Sequence, residues 1–425
     1  MEVIQDVACT ICGCVCDDLS VTVEEGRVCA VTGACELSEN WFLEQDSIQP
    51  PDAEIDGRSV TIDEAIAHTT QLLAKSRNPL LFGLSRSSSE GQRAATHLAD
   101  LLGANIDTTA SLCHAPSIMA IQEVGESTCS LGEIRHRADL VIFWGVDPMK
   151  SHPRHFERYS VDPIGDFVPG GRSDRTVVVI DSKSTETAAM ADEFISVAPG
   201  GDFEMIWTLR SLLNGNSPVG GAFDEASTQL VELAERMKSC RCGIVFFGLG
   251  LAHQELGHLT VEALLRLVRD LNAHTRFHAR RMRLFGDVTG ADCVLCWQTG
   301  FPFGVNLGRG YPRYNPGEFS AHELLERGEA DLCLLVGGES VPQMSPAARR
   351  HLDAIPTVLL DYPTVPIHFD PTVRFTTAVY GVHRPGVVYR MDEIPIPLRS
   401  FLPTHYPSDA EVLNRIARDF AHMGG

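Results

Sequence analysis

The chain has 425 residues, 44% of them hydrophobic, with 56 acidic against 35 basic residues and a net charge of −21. That is enough apolar material for two or three cored domains, and so acidic a balance lacks the basic footprint that a nucleic-acid-binding protein uses to displace counterions. The opening MEVIQDVACTICGC has no basic or apolar signal segment, and no stretch of roughly 18 uncharged apolar residues offers a membrane span, so the expectation is a cytoplasmic protein with neither nucleic acid nor membrane as partner.

Taken in chain order, residues 1–60 form a cysteine-rich β unit, with strands expected at 19–23 and 28–31 about a turn at Glu25-Gly26. Residues 50–56 read as a linker. Six short apolar runs follow, at 79–85, 140–145, 176–181, 243–250, 331–338 and 357–361, each bounded by Gly, Pro, Asp or Ser. Runs of this length without polar alternation suit parallel strands buried on both faces. Helical patterns between them, as at 91–102 and 261–271, argue for open parallel sheets flanked by helices.

The runs also pair. Phe82-Gly83-Leu84 resembles Phe247-Gly248-Leu249. Ala138-Asp139-Leu140, reaching Gly145, resembles Ala330-Asp331-Leu332, reaching Gly337. TVVVID at 176–181 resembles TVLLD at 357–361. The expected fold class is therefore α/β: two Rossmann-like parallel-sheet halves, at 61–235 and 236–425 with a C-terminal tail, behind the cysteine-rich unit 1–60. In such halves ligands meet the carboxyl ends of the strands, where backbone N–H groups and helix N-termini face phosphate. Gly145, Asp147, Pro148, Asp181, Lys183, Gly337 and Gly338 lie at those ends and are the candidate cofactor-binding residues. His152 and His155, flanking Pro153-Arg154, suit a pocket wall or a subunit contact.

Six of the 13 cysteines precede residue 36, which in a reducing compartment points to metal rather than disulfides. Cys9-x2-Cys12-x3-Cys16 can turn three thiolates toward one centre, and Cys35 can close the site. Four thiolates suit a [4Fe–4S] cluster or zinc. The spacing departs from paired zinc knuckles, and a vacant site is the third reading. Cys14 and Cys29 are left over, so the fourth ligand is less determined than the first three.

This spacing ahead of α/β halves resembles the molybdopterin oxidoreductases. Five further segments narrow the resemblance: TASLCHAPSIMAIQE at 109–123, GVDPMKSHPRHFERYS at 145–160, MRLFGDVTG at 282–290, GRGYPRYNPGEFSAHELLERGEAD at 308–331 and YRMDEIPIP at 389–397. In order and over nearly the whole chain, they are similar to the B subunit of formylmethanofuran dehydrogenase. The resemblance implies a formate dehydrogenase/DMSO reductase-like fold, with Cys9, Cys12, Cys16 and Cys35 as [4Fe–4S] ligands. It implies Cys113 as the thiolate on tungsten or molybdenum, His114 as an active-site histidine and Arg283 as a catalytic arginine. The metal would carry a molybdopterin guanine dinucleotide, and CO2 would be reduced to formate for a partner amidohydrolase.

The residue types suit those roles: a soft thiolate for the metal, an imidazole for a proton, and a guanidinium for two parallel hydrogen bonds to a carboxylate. Two departures matter. Leu284-Phe285 stand where the family often has a small residue and a histidine. The chain also ends without the C-terminal barrel of larger relatives, so the expected partners are a barrel-bearing dinucleotide-binding subunit, an amidohydrolase-like subunit and a formyltransferase-like subunit. The alternative reading is a redox-silent scaffold of the related formyltransferase/hydrolase complexes, which convert formyl groups to formate.

Overall fold

The apolar runs become strands because nothing in them can face water. The computed structural model describes residues 1–216 and 225–423. Its strands begin with β1 (Glu2–Val7), β2 (Leu19–Glu24), β3 (Arg27–Thr32), β4 (Ala53–Ile55), β5 (Arg58–Val60), β6 (Pro79–Gly83) and β7 (Asn105–Thr108). Next come β8 (Leu140–Trp144), β9 (Thr176–Asp181), β10 (Glu193–Ser196), β11 (Cys242–Phe247) and β12 (Arg276–Arg281). The chain finishes with β13 (Val305–Asn306), β14 (Arg313–Tyr314), β15 (Leu332–Val336), β16 (Thr357–Asp361), β17 (Val373–Thr376), β18 (Gly386–Tyr389) and β19 (Pro395–Leu398). All six expected runs are present, and β6, β8, β11, β15 and β16 are buried at every residue.

The strands build two units. One comprises Met1–Leu112 with Phe285–Gly425, the other Cys113–Leu284. The first holds a nine-stranded sheet in the order β14-β13-β7-β6-β15-β16-β17-β4-β5. Its middle, β7 through β17, is parallel. The second holds a five-stranded, wholly parallel sheet in the order β12-β11-β8-β9-β10. The division expected near residue 235 is thus not how the chain folds, and 1–60 is not a separate unit. One unit is inserted into the other: β6 pairs on one side with β7, next to it in sequence, and on the other with β15, some 250 residues further on.

The resemblances between strands nevertheless have a structural counterpart. β6, β15 and β16 occupy in one sheet the places that β11, β8 and β9 occupy in the other. The strand ends bond alike: Leu84 N–H donates to Val336 O (2.7 Å) and Gly248 N–H to Trp144 O (3.3 Å), while Gly337 N–H donates to Leu360 O and Gly145 N–H to Ile180 O, both at 2.9 Å. Gly337 (φ 84°) and Gly145 (φ 59°) both take the left-handed backbone that glycine accepts without penalty.

β1, β2 and β3 form an antiparallel sheet, with Glu25 and Gly26 at positive φ in the hairpin turn, as a two-residue hairpin connection requires. The 50–56 segment is more than a linker, since β4 pairs antiparallel with β17. That strand is three residues long and gains its partner from more than 300 residues away. Among the described residues no helix is long and apolar enough to cross a membrane.

Candidate functional site

The cysteine loop lies within the first unit. Cys9, Cys12, Cys14 and Cys16 are buried and Cys35 is half-buried. The loop closes on itself through Cys9 N–H to Cys16 O (2.7 Å) and Val15 N–H to Cys12 O (3.1 Å). The Cys14 thiol hydrogen-bonds those of Cys12 and Cys16, and these bonds, together with burial, raise its pKa. Burial pushes the Cys9 thiol up, with further upward push from Cys12 and Cys16, against a hydrogen bond from Ser38. The same Ser38 hydroxyl stands 3.6 Å from Cys35 Sγ, so Cys35 is drawn toward the loop. Cys29 is exposed on β3 and donates to Thr22 O. Among the described residues no three His, Cys, Asp or Glu side chains form a single-ion site.

Gly286 presses on this loop. A side chain there would put its Cβ 1.9 Å from the Thr10 carbonyl oxygen, so backbone meets backbone. Phe285, Gly286 and Asp287 line a cavity of about 300 Å³ with Thr10, Trp41 and Tyr362. Ser85, Arg86 and Ser87, just past β6, complete its polar wall. Arg86 reaches Asp361 (3.1 Å) and Glu339 (3.5 Å). Gly338 N–H donates to Asp361 Oδ2 at 2.8 Å. Sequence reasoning found Gly337 and Gly338 but missed Arg86 and Asp361. The available signal was the polar Ser85-Arg86-Ser87 run at a strand's carboxyl end.

In the second unit, Cys113 and His114 open the helix Ala115–Val124, with His114 as its N-cap. Cys113 is 3% exposed, His114 fully buried and Arg283 3% exposed. His114 Nε2 is 3.1 Å from Met282 O, and Nδ1 is 3.4 Å from Ser117 Oγ. Burial, then the charges of Arg283 and Arg281, hold the imidazole well below its ordinary pKa. Cys113, His114 and Arg283, 170 residues apart in sequence at most, are thereby one neighbourhood. The Arg280–Arg283 run does not face solvent: Arg280 donates to Cys129 O (2.7 Å) and Arg281 pairs with Glu126 (3.5 Å).

The remaining candidates stand at the carboxyl ends of β8 and β9. Asp147 caps a short helix that starts at Pro148, and accepts from Thr187 N–H (3.1 Å) and Thr187 Oγ1 (2.5 Å). Asp181 ends β9 and accepts from Lys183 N–H (3.3 Å), while the Lys183 side chain is exposed. Gly145 abuts Gly250, whose N–H donates to Gly145 O at 3.1 Å. His152 and His155 are buried, which removes the subunit-contact reading. His155 sits among Phe143, Phe246 and Tyr159, as a packing residue.

The B subunit of tungsten-containing formylmethanofuran dehydrogenase 2 from Methanocaldococcus jannaschii is 36% identical over 433 residues, covering all of both chains. The chain belongs to the family of formylmethanofuran dehydrogenase B subunits. The Methanococcus maripaludis member is 34% identical, again over the full length of both. Among solved structures, a chain of the formyltransferase/hydrolase complex of Methylorubrum extorquens matches with a TM-score of 0.72 and 25% identity, over 88% of this chain and 99% of that one. Acetylene hydratase from Pelobacter acetylenicus shares the fold at a TM-score of 0.67 and 11% identity, over 98% of this chain and 69% of that one. No family model matches the sequence.

Proposed function

We propose that this chain is the metal–pterin subunit of a formylmethanofuran dehydrogenase-type complex, interconverting CO2 and formate in one-carbon metabolism. The observation that carries the reading is the joining of His114 and Arg283 beside Cys113, in a chain that aligns end to end with dehydrogenase subunits. The redox-silent scaffold is not favoured, since the full-length relatives at 34–36% identity are dehydrogenase subunits.

A bound tungsten or molybdenum pterin would supply the two-electron chemistry, and the relatives' names make tungsten the first metal to look for. Cys113 is the thiolate that would hold it. Arg283 holds the two formate oxygens through parallel N–H bonds, keeping the C–H bond turned away from the guanidinium. His114 keeps its Nε2 proton on the Met282 carbonyl and offers Nδ1 to a proton. Burial and Arg283 disfavour the imidazolium, so His114 stands as the neutral imidazole, with Nδ1 its acceptor.

The Cys9–Cys16 loop with Cys35 would ligate a [4Fe–4S] cluster. The four thiolates of such a cluster bind separate irons, so they need not converge on one point. Cavity residues Ser85, Arg86 and Ser87 suit a phosphate-bearing cofactor, and the Thr364 hydroxyl, buried there with no hydrogen-bond partner among the described residues, fits the same role. Gly337 and Gly338 would meet the same cofactor in the first unit, while Gly145, Asp147, Pro148, Asp181 and Lys183 are the phosphate-binding candidates of the second. The complex would work in the cytoplasm with amidohydrolase-like, formyltransferase-like and barrel-bearing subunits.

The test is elemental analysis of the complex purified without oxygen. About four or more irons and about one tungsten or molybdenum per copy are expected for one cubane and one pterin site. Intact complex that transfers formyl groups yet holds neither iron nor tungsten nor molybdenum would overturn the reading.

A further inference from the structure

β12 ends at Arg281, and the last bond to its neighbour β11 is Met282 N–H to Phe247 O at 2.9 Å. The next two carbonyls, of Met282 and Arg283, lie beyond the ladder in a buried setting, where an unmet carbonyl is costly. Two imidazoles meet them. His114 Nε2 is 3.1 Å from Met282 O, and His152 Nε2 is 2.7 Å from Arg283 O. A carbonyl only accepts, so each Nε2 carries the proton.

We infer that His152 is the positioning residue for Arg283: its Nε2–H fixes the peptide from which the guanidinium extends. The inference rests on the reading of Arg283 as the formate-binding arginine. His152 is itself held. It follows the short helix Pro148–Ser151, and its backbone N–H donates to Pro148 O at 2.8 Å. Its Nδ1 faces the Ser151 hydroxyl at 2.8 Å. Burial pushes the imidazole down to about 4, opposed by the bond to Arg283 O, so it stays neutral near pH 7 and adds no charge beside a cationic site. A guanidinium recognises a carboxylate through a planar fork, and a small rotation of its peptide misaligns both bonds at once.

The experiment compares the intact complex carrying His152→Gln, His152→Leu or His152→Asn with wild type and Arg283→Ala, in dye-coupled formate oxidation. Metal content is measured for each. Glutamine places an amide N–H near the position of Nε2, leucine has no donor, and asparagine is too short to reach. The leucine and asparagine variants are expected to raise the KM for formate about tenfold, the effect of losing one well-placed bond of about 1.4 kcal/mol, with kcat changed less. Glutamine is expected to restore most of the loss. Equal impairment of all three His152 variants, or a fall in kcat and metal content with KM unchanged, would overturn the positioning role while leaving the Arg283 reading intact. An unchanged KM in Arg283→Ala would sink both.

Discussion

Asp331 accepts the backbone N–H of Asn78, 253 positions earlier in the chain, at 3.0 Å. It also accepts from Arg77 N–H at 2.7 Å. In the other unit Asp139 accepts from Arg241 N–H at 3.1 Å and Cys242 N–H at 2.9 Å. Each carboxylate thus starts the neighbouring strand of its own sheet, which gives the repeated Ala-Asp-Leu a physical meaning. Asp139→Ala and Asp331→Ala should each cost about 1 kcal/mol, the net worth of backbone hydrogen bonds that water can replace. Hydrogen exchange should speed up at 241–242 in the first variant and at 77–78 in the second. Unchanged protection at those amides would count against the capping role.

Arg86 stands between two nearly buried carboxylates, Glu339 at 4% and Asp361 at 2% side-chain exposure. Burial works against its charge, but Glu339 and Asp361 more than offset this and raise its pKa. Arg86→Met leaves both carboxylates without their cation, so the expected loss of stability is on the order of 3 kcal/mol, read by urea unfolding. Adding Asp361→Asn should recover part of it. Two independent, additive losses would show that the three groups do not act together.

Asp107 is fully buried at the end of β7 and accepts from Gly304 N–H (2.8 Å), Ala321 N–H (2.6 Å) and Thr108 N–H (2.9 Å). Burial lifts its pKa from 3.8 to about 7, against those hydrogen bonds. The folded state therefore binds this proton more tightly than the unfolded chain. Its contribution to stability is complete below about pH 3.8 and is lost as pH rises through about 7. Asp107→Asn should abolish that slope, so that the stability difference between variant and wild type changes between about pH 3.8 and 7. It should also cost about 1–3 kcal/mol, because an amide cannot accept at both oxygen positions. Parallel pH–stability curves for the two proteins would refute the shift.

Cys14 lies among the proposed cluster ligands without being one of them. Its thiol hydrogen-bonds those of Cys12 and Cys16. Cys14→Ala should leave iron per chain unchanged, whereas Cys16→Ala should lower it sharply, both measured on complex prepared without oxygen. Equal iron loss in the two variants would make Cys14 a ligand.

Cys113 is 3% exposed and small. Cys113→Ala should abolish dye reduction with formate and lower bound tungsten or molybdenum, with a stability cost of about 1 kcal/mol for one removed sulfur atom. Retained activity would remove Cys113 from the metal.

Much of this was readable from residues alone where the physics is local. β6, β8, β9, β11, β15 and β16 announce themselves because a strand buried on both faces must be apolar throughout. The Glu25-Gly26 turn is legible because positive φ has few tolerant residues. β7, β10, β12 and β17 were not legible: NIDT, EFIS, RFHARR and VRFT are short or polar, and they are strands only because a neighbour offers a ladder. The candidate site divided the same way. Cys113, His114 and Arg283 came from motifs, whereas Arg86 and Asp361 look like ordinary surface charges until the sheet brings them within 3.1 Å.

By itself the sequence determined the α/β class, the buried strands, the cysteine loop and the family, since each rests on residue type or spacing along the chain. Only the tertiary structure decided that β6 pairs with β15 and β11 with β8, so that the unit Cys113–Leu284 is inserted into the other. Only it set His152 against the carbonyl of Arg283. Strand partners at long separation are chosen by which buried faces and hydrogen-bond ladders close best in space, and apolar strands of like composition carry no local record of that choice.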